Sequence, residues 1–292
     1  MSDAVKIKGK KLKSAFTLKH NLIIIGIGIV LAVALLVGGL YIAGFRYVTY
    51  KFEAGFAITF VGRVDSDGQP ISGRITYSDD DGAKNGLSAS VNSKNGRIEY
   101  SNGDVYEGET ADLVKHGKGK LIMADGTVYE GEFKADEANG KGRIEYNGGD
   151  VYEGSFSGGY RDGEGTYTWS DGSTYTGTFK KNKKDGEGTM SWADGSSYTG
   201  TYREDIKHGS GKYIYSNGDY YEGDFENDVR RGRGLYVWAN GESYEGEFKD
   251  NTMWGVGTYK WPTGRIYKDG YFEDGVIVRT DEDIDVSEVT EE

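Results

Sequence analysis

The sequence predicts an all-β repeat array, an elongated twisted ribbon of stacked β-hairpins with a period of 23 residues, preceded by one transmembrane α-helix. Three observations predict it. Tyr-x-Gly recurs seven times at a fixed step of 23, at Tyr106/Gly108, Tyr129/Gly131, Tyr152/Gly154, Tyr175/Gly177, Tyr198/Gly200, Tyr221/Gly223 and Tyr244/Gly246. Within each unit large and small residues follow at spacings of two, the spacing of residues on one face of a strand. Leu22 to Phe45 is a run of 24 residues without a charge.

A fixed period in this range marks a repeat array rather than a set of local turns. Four residues after each opening tyrosine stands Phe or Tyr (Phe133, Phe156, Phe179, Tyr202, Phe225, Phe248), with Thr110 the exception. Eleven and thirteen residues after it comes a glycine pair, as in Gly163/Gly165 and Gly186/Gly188. Fifteen and seventeen after it come large residues such as Tyr167/Trp169 and Tyr236/Trp238, and twenty after it one more glycine, usually preceded by Asp or Asn.

One unit reads as a strand from Gly165 to Trp169, a turn at Asp171-Gly172, and a strand from Tyr175 to Phe179. A strict two-residue turn would place the two aromatic sets on opposite faces. A three-residue loop, Ser170 to Gly172 with Gly172 left-handed, pairs Tyr167 with Tyr175 and brings both sets to one side, so this register is expected. The paired glycines are then expected beneath a ring from a neighbouring hairpin.

The pattern resembles the MORN repeat, whose consensus also runs Tyr-x-Gly-x-aromatic, then Gly-x-Gly, then a turn with Asp-Gly or Asn-Gly. The resemblance covers about two thirds of the chain. It implies an elongated array of β-hairpins serving as a scaffold or a membrane-associated module, with no shared reaction. Roughly twenty strands about 4.8 Å apart would make a ribbon on the order of 90 to 100 Å long.

Ahead of the array, residues 1–20 hold six lysines and one acid, Asp3. They read as a basic cytoplasmic tail, either disordered or in weak contact with anionic lipid headgroups. The uncharged run then makes a transmembrane helix over 21–45, since 24 helical residues span ~36 Å against a hydrocarbon core of ~30 Å. A cleaved signal peptide is the rival, but its apolar region is normally ~7 to 15 residues. The lysines before the span orient it with the N-terminus in the cytoplasm and the repeats on the extracytoplasmic side of the plasma membrane. Ala34/Gly38 and Gly39/Ala43 are small-xxx-small pairs that would permit a weak homodimer through the helix.

Residues 46–59 read as a linker and 60–105 as degenerate capping repeats. Phe60-Val-Gly62, Gly73 and Ile75/Tyr77 keep the frame, and Gly96, Ile98, Tyr100 and Gly103 keep it again 23 residues on. Terminal units of a solenoid are atypical because one side lacks a neighbour. The array itself runs over 106–280. Its last opening, at Tyr267, has Asp269 where the glycine belongs and Gly270 after it, and Val276 to Val278 would close it. Residues 281–292 carry seven acids and no base and read as a disordered acidic tail.

Composition narrows the chemistry. There are 47 Gly, 23 Tyr, 2 Pro and no Cys in 292 residues, so disulfides and thiolate metal sites are excluded. The net charge is −12, and with the +5 of the first 20 residues and the −6 from Val276 onward set aside, the remainder carries −11. Such a chain does not favour nucleic acid or anionic phospholipid. No Gly-x-Gly sits in a dinucleotide or phosphate-loop context. Asp65-Ser-Asp67-Gly68 and Asp79-Asp-Asp81-Gly82 lack the Glu of a calcium loop, and His116 and His208 occupy a variable position taken to be a loop. A similar array belongs to plant phosphatidylinositol phosphate kinases, but no segment outside this one is long enough for a kinase domain. Neither an enzyme, a cofactor nor a metal site is expected.

What remains is recognition. The candidate repeat-core or binding aromatics are Tyr129, Tyr152, Trp169, Tyr175, Trp192, Tyr198, Tyr221, Trp238, Tyr244 and Trp261. A membrane-anchored, non-enzymatic scaffold that contacts an unknown protein partner in the cell envelope is the first expectation. The alternative is a surface protein that binds cell-wall glycan through repeated aromatics. Burial of the tryptophans by neighbouring hairpins favours the scaffold.

Overall fold

The computed structural model describes residues 29–31, 33–41, 43–52, 55–79 and 86–278, which belong to two compact units divided after Asn102. The basic tail, the acidic tail, Asp80, Asp81 and the first residues of the predicted membrane span lie outside the described residues.

In the first unit the chain is helical at 29–31 and 33–41. Five strands follow: β1 (Phe45–Lys51), β2 (Phe56–Val64), β3 (Pro70–Asp79), β4 (Ser88–Asn92) and β5 (Arg97–Tyr100). Each is antiparallel to the next. Of the residues expected as a linker, 46–51 belong to β1 and 56–59 to the start of β2. Their alternation explains it: Val48 and Tyr50 turn to the inner face opposite Phe60 and Ile58, while Tyr47 and Thr49 face outward. The predicted helix is also shorter at its end, because Gly44 takes a left-handed turn (φ 82°) and Phe45 already starts β1. Among the described residues no helix is long and apolar enough to cross a membrane. Gly38 and Gly39 have nothing within 4 Å, so among the described residues nothing packs on these two glycines.

Ile58, Phe60, Ile75 and Ile98 are fully buried and make this unit's core. Phe60 covers Gly62 and Gly73 so closely that a Cβ on either glycine would lie 2.6 Å from the ring. The degenerate opening Phe60-Val-Gly62 therefore keeps the packing of a full repeat.

The second unit is a meander of sixteen strands: β6 (Val105–Ala111), β7 (Val114–Ile122), β8 (Val128–Lys134), β9 (Glu137–Glu145), β10 (Val151–Ser157), β11 (Tyr160–Thr168), β12 (Thr174–Lys180), β13 (Lys183–Ser191), β14 (Ser197–Arg203), β15 (Ile206–Ile214), β16 (Tyr220–Glu226), β17 (Val229–Val237), β18 (Ser243–Lys249), β19 (Thr252–Lys260), β20 (Ile266–Glu273) and β21 (Val276–Ile277). Every strand pairs antiparallel with the next. Two strands make one 23-residue period.

Two kinds of turn alternate along it. The three-residue loop appears as expected: Tyr167 pairs with Tyr175, Gly172 has φ 89°, and its N–H donates to the Trp169 carbonyl at 3.0 Å. The other turn is a two-residue hairpin with positive φ at both positions, as at Lys181/Asn182 (46° and 71°) and Glu204/Asp205 (48° and 74°). This is the type I′ geometry whose twist suits paired strands. No Asn-Gly or Asp-Gly pair marks it at these positions, yet Asp or Asn recurs seven residues after the opening tyrosine at Asp136, Asn182, Asp205, Asp228 and Asn251.

At the end of the array Asp269 is an inserted residue with φ 52°. The register shifts by one, Gly270 pairs with Gly257, and Phe272 reaches the buried position that Phe248 holds one unit earlier. The array thus tolerates the insertion without losing its ring packing.

Candidate functional site

All ring-bearing positions of a repeat share one face of the second unit's sheet. Tyr152 is opposite Tyr167, Tyr167 opposite Tyr175, and Tyr175 opposite Met190. The opening tyrosines Tyr129, Tyr152, Tyr175, Tyr198, Tyr221 and Tyr244 are at most 2% exposed. They are core, not contact residues.

Their chemistry explains the Tyr-x-Gly signature. The ring of Tyr152 bends over Gly154 on its own strand and Gly165 on the next, and a Cβ on either would come closer than 3.0 Å to its atoms. Its hydroxyl reaches past Gly154 and donates to the Ser155 carbonyl at 3.0 Å. The β10–β11 pairing skips residue 155 there, which leaves room for that bond. The same bond recurs from Tyr129 to Glu132, Tyr175 to Thr178, Tyr198 to Thr201, Tyr221 to Asp224 and Tyr244 to Glu247. Burial pushes the phenols of Tyr129, Tyr152, Tyr198 and Tyr244 up to about 12.

The covering ring belongs to the same repeat, two residues back and one strand over, not to a neighbouring hairpin as expected. Nor do the two glycines of a pair share one role. Gly165 lies under the ring, whereas Gly163 has φ 100° and lies where three residues of β11 oppose one of β10. It serves a bulge, where an L residue is strained. The variable position before it, which includes His116 and His208, lies in a bulged strand rather than a loop.

Neighbouring repeats are joined by rings. Phe156 packs edge-on against Tyr152 at 5.2 Å and Tyr129 at 5.0 Å, and Phe179 against Tyr175 and Tyr152 at 5.1 Å each. The series continues through Tyr202, Phe225 and Phe248 to Phe272. Such pairs contribute about 0.5–1.5 kcal/mol beyond burial. Thr110 leaves no gap on the Tyr106 side that faces the next unit, because Phe133 meets Tyr106 at 5.2 Å.

A second, half-buried row runs beside the first. Trp169 stacks on Tyr167 at 4.6 Å, Trp192 on Tyr213 at 5.3 Å, Trp238 on Tyr236 at 4.6 Å and Tyr259 at 5.5 Å, and Trp261 on Tyr259 at 4.8 Å. Four cations nine residues after the opening tyrosines cover this face: Arg161 lies 5.0 Å from the Tyr167 ring, Lys184 4.9 Å from Tyr202, Lys207 5.5 Å from Tyr213 and Arg230 5.1 Å from Tyr236. Trp192 and Trp238 therefore link hairpins, Trp169 and Trp261 pack on the tyrosine two residues back, and the half-buried rings are not laid open as a row of flat platforms.

The turns clasp one another as well. Arg161 N–H donates to Asn182 Oδ1 at 2.8 Å, and Asn182 N–H returns a bond to the Arg161 carbonyl at 3.0 Å. Lys184 with Asp205, Lys207 with Asp228 and Arg230 with Asn251 repeat the exchange. On the other edge Asp150 accepts from the Tyr167 hydroxyl at 2.6 Å and the Ser170 N–H at 2.9 Å. The hydroxyl bond, then the N–H, hold the Asp150 carboxyl below the usual range. Asp219 repeats this with Tyr236 and Ala239.

The opposite face carries no aromatic ladder. Over residues 107–176 it forms an open groove of about 1180 Å³. One row across its strands alternates in sign, Glu107, Lys120, Glu130, Arg143, Glu153, before passing to Thr166 and Thr176. A second row places Lys118 beside Glu132 and Lys141 beside Ser155. Thr166 and Thr176 share a hydroxyl bond of 3.0 Å, and Thr178 donates to Glu164 at 2.7 Å. These charged residues had not been singled out from the sequence, because at alternate strand positions they look like an ordinary solvated face. Among the described residues no group of three or more His, Asp or Glu side chains is arranged to hold a metal ion. Asp65 Oδ1 instead accepts the N–H groups of Asp67 and Gln69 in a turn.

A single-layered β-array, with one face closed by rings and the other open, defines this as a hairpin-repeat protein. The MORN repeat model matches residues 114–128, 129–151, 152–174, 175–197, 198–220, 221–243 and 244–264, more than half of the chain, so the chain belongs to the MORN-repeat family. No curated protein matches it. Among solved structures it is similar to the SAS-4 (dCPAP) TCP domain of Drosophila melanogaster, in complex with a proline-rich motif of Ana2 (dSTIL), at 16% identity and a TM-score of 0.34, over 55% of this chain and 92% of that one. It is also similar to the TCP10 domain of Danio rerio CPAP in complex with a STIL peptide, at 13% identity and a TM-score of 0.39, over 80% of this chain and 98% of that one.

Proposed function

We propose that this protein is a non-enzymatic scaffold, held at a membrane by the segment from Leu22 to Phe45, whose MORN array offers its polar groove to a protein partner. The observation that carries the groove is the division of labour between the faces. Rings, cations and clasping turns occupy one face in contacts within the array, while the other presents alternating charges to solvent. An extended segment bearing both signs suits such a row, since opposite charges can be met strand by strand. The double charge reversal Lys120→Glu with Arg143→Glu is expected to abolish partner binding, while Trp169→Ala leaves it intact. The opposite pattern would remove the groove from the account.

The anchor rests on 24 uncharged residues and on the exposure of every described side chain of the helix within them, among them Leu35 at 77% and Val30 at 67%. An extracytoplasmic array follows from the preceding lysines. With no native Cys, Ser170→Cys reports on it directly. Labelling of intact cells by an impermeant maleimide is expected, and labelling only after lysis would place the array in the cytoplasm. Glycan binding has less support, because the tryptophans it requires lie half-buried against tyrosines.

A further inference from the structure

We infer that the outer face of β1 to β3 lies on the membrane itself, with Phe45, Tyr47 and Val61 in the interfacial zone and Arg63 and Arg74 against anionic phospholipid headgroups. The inference rests on the anchor proposed above and concerns a different part of the chain.

The sheet is tied to the end of the helix. Gly44 N–H donates to the Tyr41 carbonyl at 3.1 Å, so the chain reverses within one turn. Val64 N–H donates to the Gly44 carbonyl at 2.8 Å, which fixes the far end of β2 to the same turn. Arg46 closes the junction: its guanidinium lies 3.6 Å over the Tyr41 ring, and Nη1 donates to the carbonyls of Tyr41 at 2.8 Å and Phe45 at 2.9 Å. The pair Phe45/Arg63 therefore lies at the helix end. The pair Tyr47/Val61 is two residues further along the strands, or about 7 Å at ~3.3 Å per residue. The headgroup zone on each side of a bilayer is about as thick, roughly 5–8 Å.

Side-chain character follows the same distance. Phe45, Tyr47 and Val61 are 38%, 74% and 51% exposed on this face, an apolar cluster that water does not favour. Beyond them the face turns to Thr49 and Thr59, then Lys51 and Ala57. Across the sheet Val61 is opposite Arg74, which is followed by Ser90 and Glu99. An apolar patch confined to the strand ends nearest an apolar helix, and flanked by arginines, is the composition of a membrane interface, where aromatic rings and bases collect. The acidity of the whole chain conceals this local basic face.

The test uses the full chain in liposomes of phosphatidylcholine and phosphatidylglycerol that carry a lipid-borne nitroxide. Single cysteines at Tyr41→Cys, Tyr47→Cys, Val61→Cys and Lys51→Cys are labelled with an environment-sensitive fluorophore. Tyr47, Val61 and Lys51 point outward, and Tyr41→Cys removes only the ring beneath Arg46, whose bonds to the Tyr41 and Phe45 carbonyls remain to hold the junction. The expected result is loss of most emission at 41, 47 and 61 and little at 51. Quenching at 41 with none at 47 and 61 would overturn this inference and leave the anchor standing. No quenching at 41 would overturn both. Replacing phosphatidylglycerol by phosphatidylcholine is expected to lower quenching at 47 and not at 41, and equal quenching at 47 in both would remove the headgroup contacts.

Discussion

Gly165→Ala measures how tightly the opening tyrosine lies on its glycines. The added methyl would come closer than 3.0 Å to Tyr152 Oη, Cε2 and Cζ. Tyr152 cannot swing aside, because Phe156 and Phe179 meet it at 5.2 and 5.1 Å and its hydroxyl is bound at Ser155. Overpacking of this kind costs about 1–3 kcal/mol, and loss of the hydroxyl bond adds about 1 kcal/mol. A total of roughly 2–4 kcal/mol is expected. Gly172→Ala is the comparison: it meets no atom within 4 Å but has φ 89°, so it should cost about 1–2 kcal/mol from backbone strain alone. The assay is urea unfolding of the full chain in detergent, followed by tryptophan fluorescence. A double-mutant cycle with Tyr152→Ala separates clash from strain, since removing the ring should abolish most of the Gly165→Ala cost. Equal costs at 165 and 172, or a cycle with no coupling, would refute the ring-over-glycine packing.

Other perturbations probe the remaining links of the array. Tyr175→Phe keeps the ring and deletes the bond to the Thr178 carbonyl, so it should cost about 1–3 kcal/mol, less than the ~3–5 kcal/mol of Phe179→Ala, which opens a cavity between two tyrosines. Raised phenol values make folding sensitive to alkali: stability is complete below pH 10, where folded and unfolded phenols are both neutral, and is lost as pH rises toward about 12, the folded value of Tyr152 and Tyr198. Unfolding midpoints measured from pH 6 to 12 should fall only above 10, and a fall beginning near 7 would contradict this. Ala135→Gly relieves a residue held at φ 47° in a type I′ turn and should stabilise by a few tenths to about 1 kcal/mol in the same urea assay.

The period of 23, the strand pairs, the three-residue loop and the register of Tyr167 against Tyr175 were legible in the sequence because a period of two on one face leaves few ways to close a hairpin. Phe60 shows that even a degenerate unit could be followed by counting, whereas at the far end a step of 23 from Phe248 lands on the exposed Tyr271, and Phe272 takes the buried position because Asp269 is inserted. The type I′ turns were not legible, since Lys181-Asn182 carries no glycine and its meaning depends on a clasp to Arg161, 21 residues away. The two roles within Gly163/Gly165 were hidden for a similar reason: a missing side chain looks alike whether the backbone bulges or a ring lies over it. The tryptophans looked like contact residues because large aromatics at a fixed period suit either use, and only the rings of Tyr167, Tyr213 and Tyr259 beside them show the inward one. The groove was invisible because its residues are the outward half of each strand, where Glu107, Lys120, Glu130 and Arg143 resemble any solvated surface.

Site-specific photocrosslinking in intact cells tests most directly whether the polar face is the binding face. A benzophenone side chain is placed at Thr176 or Glu130 in the groove, and at Trp169 on the ring-covered face. The account predicts one discrete crosslinked product from both groove positions and none from position 169, and that product should vanish with Lys120→Glu and Arg143→Glu. Crosslinks from position 169 alone, or from no position, would contradict it.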